Sequence, residues 1–80
     1  MKKSTIIATC LINSGRTSHS IIDVEKSVEQ TFKEDFSGMN YQQWNTNVPE
    51  ADAQRIIKEF GNAYRIDIRQ FILDLMERSE

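Results

Sequence analysis

Cys10 and Arg16 are the two residues of this chain whose types and spacing could carry out chemistry together. They lie in the segment 10–17, CLINSGRT, and five residues separate them. A loop of that length can fold around a phosphoryl group, so that the cysteine thiolate attacks phosphorus while the guanidinium holds two of the oxygens. Backbone N–H groups at the start of a following helix would complete such an anion site.

This segment resembles the phosphate-binding loop of the protein tyrosine phosphatases, in which a cysteine, five residues, an arginine and a hydroxyl residue follow one another. Asn13 stands three residues after the cysteine, as is typical of the low-molecular-weight branch of that family. The resemblance implies a cysteine-dependent phosphatase, with Cys10 as nucleophile and Arg16 as phosphate ligand, in a longer domain built on a parallel sheet. Ile12 stands where members of the family usually have a glycine.

The alternative interpretation of the same segment is structural, and we favour it. Cysteine is often buried as a small apolar side chain, and Arg16 would then be a solvated loop residue. His19 is the single histidine, so one chain supplies neither a nucleophile with its base and orienting group nor a zinc site. No Walker loop or dinucleotide fingerprint occurs. We therefore predict a non-enzymatic protein without a metal or cofactor.

Length and charge indicate one small domain over residues 1–80. The hydrophobic fraction of 39% and the charged fraction of 28% are those of a globular chain and not of a disordered one. A net charge of −2 opposes general binding to a phosphate backbone. One cysteine allows no internal disulfide, and no stretch approaches the ~20 apolar residues that span a membrane, so we predict a cytoplasmic protein.

Two structures are open for residues 4–12. Both alternating faces are apolar and β-branched residues are frequent, which favours a short strand that is covered on both sides. The alternative is a helix that is capped by Ser4 and stops at Gly15. Its apolar side would consist of Ile6, Ile7, Cys10 and Leu11. Short apolar runs are not resolved by periodicity alone, and the β-branched content leads us to predict a strand.

Helix signals are stronger further along the chain. Ser20 is a natural N-cap for a helix over about residues 20–36, and Gly38 beyond it can take the left-handed conformation that ends a helix. Asn47 and Glu50 then resemble a capping box, which predicts that a further helix begins there and continues at least to residue 60.

Residues 51–76 carry the clearest helical pattern and also an ambiguity. The apolar stripe consists of Ala53, Ile57, Phe60, Tyr64, Ile68, Phe71 and Leu75. Within it, residues 64–69 alternate apolar and charged side chains as a half-buried strand does. Gly61 either lies inside one helix or stops it. A strand over about 63–68 would pair with residues 4–12, whereas helix is favoured from Gln70 onward in both cases.

These elements predict an α+β fold, a small and mainly helical domain with its N-terminal strand in a minimal sheet. An all-α bundle of three or four helices is the alternative. Two helices on either side of Gly61 would also be compatible with a helix-turn-helix that binds DNA. In that alternative, Arg65 and Arg69 would contact phosphates. Such a unit needs a small residue four before the glycine and buried residues near six and nine after it. The chain has Ile57 at the small position and Asp67 and Gln70 at the buried positions, so these three residues do not match the motif.

Tyr41 and Trp44 are large aromatics in a polar segment, where they either cover the core or anchor a partner. Ile66 and Leu73 fall seven residues apart, away from the main stripe, and would contact another chain if the segment is helical. We therefore predict a small protein–protein interaction module, a regulator, inhibitor or adaptor of the phage or mobile-element accessory type. Its partner is another protein or, in a homodimer, a second copy. The DNA-binding regulator and the phosphatase are the alternatives.

Overall fold

The computed structural model describes residues 1–61 and 67–76, and its regular elements are all helices. They are α1 (Lys3–Asn13), α2 (Ile21–Asp35), α3 (Tyr41–Trp44), α4 (Glu50–Phe60) and α5 (Ile68–Met76). Within the described residues, β pairing is limited to one isolated antiparallel bridge between Lys2 and Asn47. The α+β prediction is therefore wrong. The described part of the chain is a small helical domain, closer to the all-α alternative.

α1 occupies the segment that we predicted as a strand. It is the central helix, in contact with α2, α4 and α5, and this explains why both faces of the segment are apolar. The side chains of Ile6, Ile7 and Cys10 are completely buried. Thr9 satisfies its hydroxyl within the helix by donating to the carbonyl oxygen of Thr5 at 2.7 Å. Burial on several sides outweighs the weak strand propensity of the β-branched residues.

The N-terminal end of α1 is capped from a distant part of the chain. Ser4 lies inside the first turn, and the N-cap position, Lys2, makes no side-chain capping bond. The backbone N–H of Ser4 instead donates to Oδ1 of Asn45 at 2.9 Å. The backbone N–H of Val48 also donates to the carbonyl oxygen of Met1. The segment that follows α3 therefore fixes the start of the central helix.

The C-terminal end of α1 is a Schellman motif. Gly15 has a φ of 73°, in the left-handed region that favours glycine. Its N–H donates to the carbonyl oxygen of Ile12 at 3.0 Å, and the N–H of Arg16 donates to that of Leu11 at 3.3 Å. This pair of bonds satisfies carbonyls that the helix end would leave unpaired. Gly15 thus ends the helix, as the helical alternative predicted.

α2 agrees closely with the prediction from its sequence. Ser20 is the N-cap, and its hydroxyl oxygen accepts from the backbone N–H of Asp23 at 3.3 Å. The buried side of the helix consists of Val24, Val28 and Phe32. The helix ends at Asp35, so the left-handed conformation that we predicted for Gly38 is wrong. Among the described glycines, Gly15 alone has a positive φ.

α4 begins without the predicted capping box. Asn47 pairs with Lys2 in the β bridge, and Pro49 holds the N-cap position without a side-chain capping bond. The helix ends at Phe60 with Gly61 as its C-cap. A Cβ atom at Gly61 would collide with the carbonyl oxygen of Ile57. Close approach, and not a left-handed turn, is therefore the reason for glycine at this helix end.

α5 begins after a cap that the sequence analysis did not identify. Oδ1 of Asp67 accepts from the backbone N–H groups of Arg69 and Gln70, at 2.9 and 3.3 Å. The predicted strand over 63–68 lies mostly outside the described residues. At its end, Asp67 caps a helix and Ile68 lies in that helix, so a strand reaching residue 68 is wrong.

The core lies between α1 and the helices around it. Its buried hydrophobic side chains come from every described helix and from the segment before α4. They are Ile6, Ile7, Ala8, Cys10, Leu11, Val24, Val28, Phe32, Trp44, Val48, Ala53, Ile56, Phe71, Ile72 and Leu75. Aromatic packing joins α4 to α5, because the ring centroids of Phe60 and Phe71 are 5.3 Å apart. This core holds the surface around α3 in place.

Candidate functional site

The segment that resembles a phosphatase loop has a different geometry in the structure. Cys10 lies within α1, where burial of the thiol raises its pKa from the ordinary value of 9.0 to about 11. A thiol with that pKa is protonated at neutral pH and is a poor nucleophile. The backbone N–H groups of Gly15 and Arg16, which an anion loop would turn toward phosphate, are bonded to carbonyls of α1. The segment therefore forms a helix end and not a phosphate-binding loop.

Within the residues that the structure describes, the two arginines predicted to contact DNA do not form a basic patch. Arg65 lies outside the described residues. Arg69 is exposed, and its Nε is 3.6 Å from a carboxylate oxygen of Asp35 in α2. Because Asp67 caps α5, that helix begins at Ile68. α4 ends at Phe60, and residues 62–66 between the two helices lie outside the described ranges.

Tyr41 and Trp44, two of the predicted partner-binding residues, both lie in α3. This short helix begins with a cap of its own, because Oδ1 of Asn40 accepts from the N–H of Gln43 at 3.2 Å. Both aromatic rings pack on Phe32 of α2, with centroid distances of 5.3 Å for Tyr41 and 5.1 Å for Trp44. Only 6% of Trp44 is exposed. The structure thus places Trp44 largely in the core.

Tyr41 is half-buried and joins a polar cluster at the start of α1. Its hydroxyl oxygen accepts from Nδ2 of Asn45 at 3.4 Å. Burial raises the pKa of Tyr41 above its ordinary value, against the lowering effect of a hydrogen bond with Ser4. Asn45 also caps α1 through Ser4. The same few side chains therefore fix α3 on α1 and leave Tyr41 half-buried.

Two grooves lie beside α3. The first, which we call the Trp44 groove, has a volume of about 500 Å³. Its lining includes Met39, Asn40, Gln43, Trp44 and Met76. The second, the Ile22 groove, has a volume of about 290 Å³, and its lining includes Ile22, Glu25, Lys26, Tyr41 and Gln42. α3 contributes different residues to each groove, so the two grooves share this helix as a common wall.

Each groove is lined by a large apolar side chain that remains exposed. Ile22 is 61% exposed and Met39 is 50% exposed. Sequence reasoning missed both as candidate site residues. A signal for Ile22 was present, because it falls off the buried stripe of α2. Met39 gave no such signal, since the turn that precedes α3 has no regular period.

Trp44 carries an unusual polar atom. Its Nε1 is buried and has no hydrogen-bond partner. Among the described residues, no other buried side-chain nitrogen or oxygen is unpaired in this way. Leaving a buried donor unpaired costs about 1–3 kcal/mol. Native structures rarely keep such a group without a reason. Trp44 is therefore both a packing residue and a donor without an acceptor.

Leu73 lies on the outer side of α5. It is 43% exposed, whereas the buried side of this helix consists of Phe71, Ile72 and Leu75. Ile66, its predicted companion, lies outside the described residues. The predicted contact surface of Ile66 and Leu73 is therefore represented, within the described residues, by Leu73.

No known protein family, curated protein or solved structure matches this chain. Within residues 1–61 and 67–76, no group of three or more His, Cys, Asp or Glu side chains could hold a metal ion. No helix in these ranges has the length and apolar character that crossing a bilayer requires. The class defined by fold and site is a small helical domain with two grooves beside a short aromatic helix.

Proposed function

We propose that this protein is a small non-enzymatic interaction module, a regulator, inhibitor or adaptor, that binds a protein partner through the surface around α3. The observation that carries the proposal is the exposure of Ile22 and Met39 in the two grooves that share α3. Methionine and aromatic residues are enriched at protein interfaces, and both grooves lie beside the short aromatic helix α3.

The composition of the Ile22 groove agrees with a protein interface. Ile22 and Tyr41 supply apolar and aromatic area, and Lys26 and Glu25 supply charges of both signs around it. Interfaces commonly have an apolar centre with a polar rim. A mixed rim also suits a protein surface better than a uniformly charged polymer.

The core beneath α3 favours binding because it holds the surface in one arrangement. Tyr41 and Trp44 both pack on Phe32, and their own ring centroids are 5.7 Å apart. A surface that is already ordered loses less conformational entropy when a partner binds. The aromatic packing therefore holds the exposed side chains in place for a partner.

The test compares single charge insertions on this surface and elsewhere. Ile22→Glu and Met39→Glu should each weaken capture of the protein partner from a lysate of the native host. Burying one such side chain is worth about 1.5–3 kcal/mol, so each variant should lose at least about tenfold in affinity. Ala51→Glu is the matched control, because Ala51 is exposed on α4 and the charge change is the same.

Thermal unfolding should show that the three variants remain folded. Equal capture by all three variants would contradict the proposal. A fourth variant, Leu73→Glu on the outer side of α5, should keep the partner, and loss of capture in this variant alone would also contradict the proposal. If the partner is a second copy, the wild type should be a dimer by mass measurement and Ile22→Glu or Met39→Glu should be a monomer.

A further inference from the structure

We infer that the Trp44 groove binds a peptide segment of the partner that inserts an apolar side chain and presents a backbone carbonyl to Nε1 of Trp44. This inference rests on the proposed function and adds the chemistry of what is recognised. Its first support is the unpaired indole N–H, which is buried in a side chain that lines the groove. A donor that lacks a partner is matched by a ligand that supplies an acceptor.

The rest of the groove lining suits a peptide among acceptor ligands. It includes Gly38 and Lys3, whose ammonium group donates to the hydroxyl of Thr46, and otherwise consists of two methionines and two side-chain amides. Met39 and Met76 supply flexible thioether side chains, which adapt to apolar side chains of different shapes. Asn40 and Gln43 supply side-chain amides, which carry the same donors and acceptors as a peptide bond. A volume of about 500 Å³ exceeds that of a single water molecule many times and lies in the range of ligand sites.

Access to the indole N–H requires a local movement. Nε1 has almost no contact with solvent, so an acceptor reaches it when a covering side chain shifts. Met39 lines the same groove, is half-exposed and precedes α3 in a turn, and its three rotatable side-chain bonds allow it to move without unfolding the core.

The experiment uses Trp44 itself as the reporter. The chain has one tryptophan, so its indole N–H gives a single cross-peak in a ¹H–¹⁵N spectrum of the full protein. The probe is N-acetyl-leucine N-methylamide, and the matched probe without a side chain is N-acetyl-glycine N-methylamide. The leucine probe should shift the indole signal downfield with saturation. It should bind about tenfold more tightly than the glycine probe because its side chain is buried.

Two variants separate the hydrogen bond from packing. Trp44→Phe keeps an aromatic ring but removes the N–H, so it should bind the leucine probe about fivefold more weakly, as followed by the methyl signal of Met39. Met39→Glu should abolish the preference for the leucine probe. If Trp44→Phe does not fold, the titration of the wild type decides the question alone.

An indole signal that does not move up to the solubility limit of the leucine probe would overturn the inference. Unchanged affinity in a folded Trp44→Phe would overturn it as well. The proposed function would survive either result if Ile22→Glu and Met39→Glu still lost the protein partner while Ala51→Glu kept it.

Discussion

Burial of Cys10 should make the stability of this protein fall between pH 9 and pH 11. The thiol has a pKa of 9.0 in an unfolded chain and about 11 in the folded protein. Well below pH 9 it is protonated in both states and has no effect. Between these two pKa values the unfolded chain releases the proton while the folded protein retains it, which favours unfolding. Two pKa units correspond to about 2.7 kcal/mol in total, of which about 2.3 kcal/mol is lost by pH 11.

Urea unfolding of the wild type and of Cys10→Ala at pH 7, 9, 10 and 11 measures this effect. The difference in unfolding free energy between the two proteins should change by less than about 0.5 kcal/mol from pH 7 to pH 9. It should then shift by about 2–3 kcal/mol in favour of the variant by pH 11. Tyr41 also has a raised pKa, but it is present in both proteins and cancels in the difference. A difference that stays constant through pH 11 would refute the argument.

The reactivity of the thiol gives an independent measurement of the same burial. An aromatic disulfide reagent at pH 8 should modify Cys10 only as fast as the protein opens, and low concentrations of urea should accelerate the reaction. Immediate modification without urea would instead indicate an accessible thiol of low pKa. That is the property which the resemblance to tyrosine phosphatases requires, and hydrolysis of an aryl phosphate that Cys10→Ser abolishes would then support that alternative.

Two further predictions concern the helix caps. Asn45→Ala should destabilise the protein by about 1–2 kcal/mol in urea unfolding, because the N–H of Ser4 loses its acceptor; Asn45→Asp keeps an acceptor and should lose less, and equal losses would argue against the cap. Asp67→Ala should cost about 1 kcal/mol because the first turn of α5 loses its cap, whereas Asp67→Ser should recover most of the loss; no difference between the two variants would contradict the assigned role.

Local signals in the sequence predicted α2, whose N-terminal end is fixed locally. Ser20 lies next to the helix that it caps, and the buried positions of α2 repeat at helical spacing. The predicted helix over about residues 20–36 is therefore confirmed as α2. α1 differs because its cap, Asn45, lies 41 residues from Ser4 along the chain. Its apolar residues face several neighbours, so its pattern could not distinguish a covered strand from a central helix.

The candidate site was predictable in part for the same reason. Tyr41 and Trp44 stand out by residue type alone, and the structure places both in α3. Their packing on Phe32 depends on how α3 lies against α2, and no local pattern contains that information. Met39 became a candidate only when the groove beside it was known.

The spacing of Cys10 and Arg16 shows why a motif needs its structural context. In an anion loop, glycine and arginine would turn their backbone N–H groups toward the ligand. In this chain, Gly15 and Arg16 donate to carbonyls at the end of α1. A glycine with a positive φ can stand both in an anion-binding loop and at a helix end. The residue types of this segment are therefore compatible with either structure. Where the N–H groups point, and not the residue spacing, decides between a phosphate site and a helix end.

Trp44 connects the fold of this protein to its proposed function. The sequence allowed two alternative interpretations of Trp44, as a core residue or as an anchor for a partner. The structure shows a ring that packs as part of the core and an indole N–H that this core leaves unpaired. Packing on Phe32 fixes the ring, and an acceptor from a partner would satisfy its donor. Truncation of Trp44 would remove both roles at once, so Trp44→Phe, which keeps the ring, is the substitution that separates them.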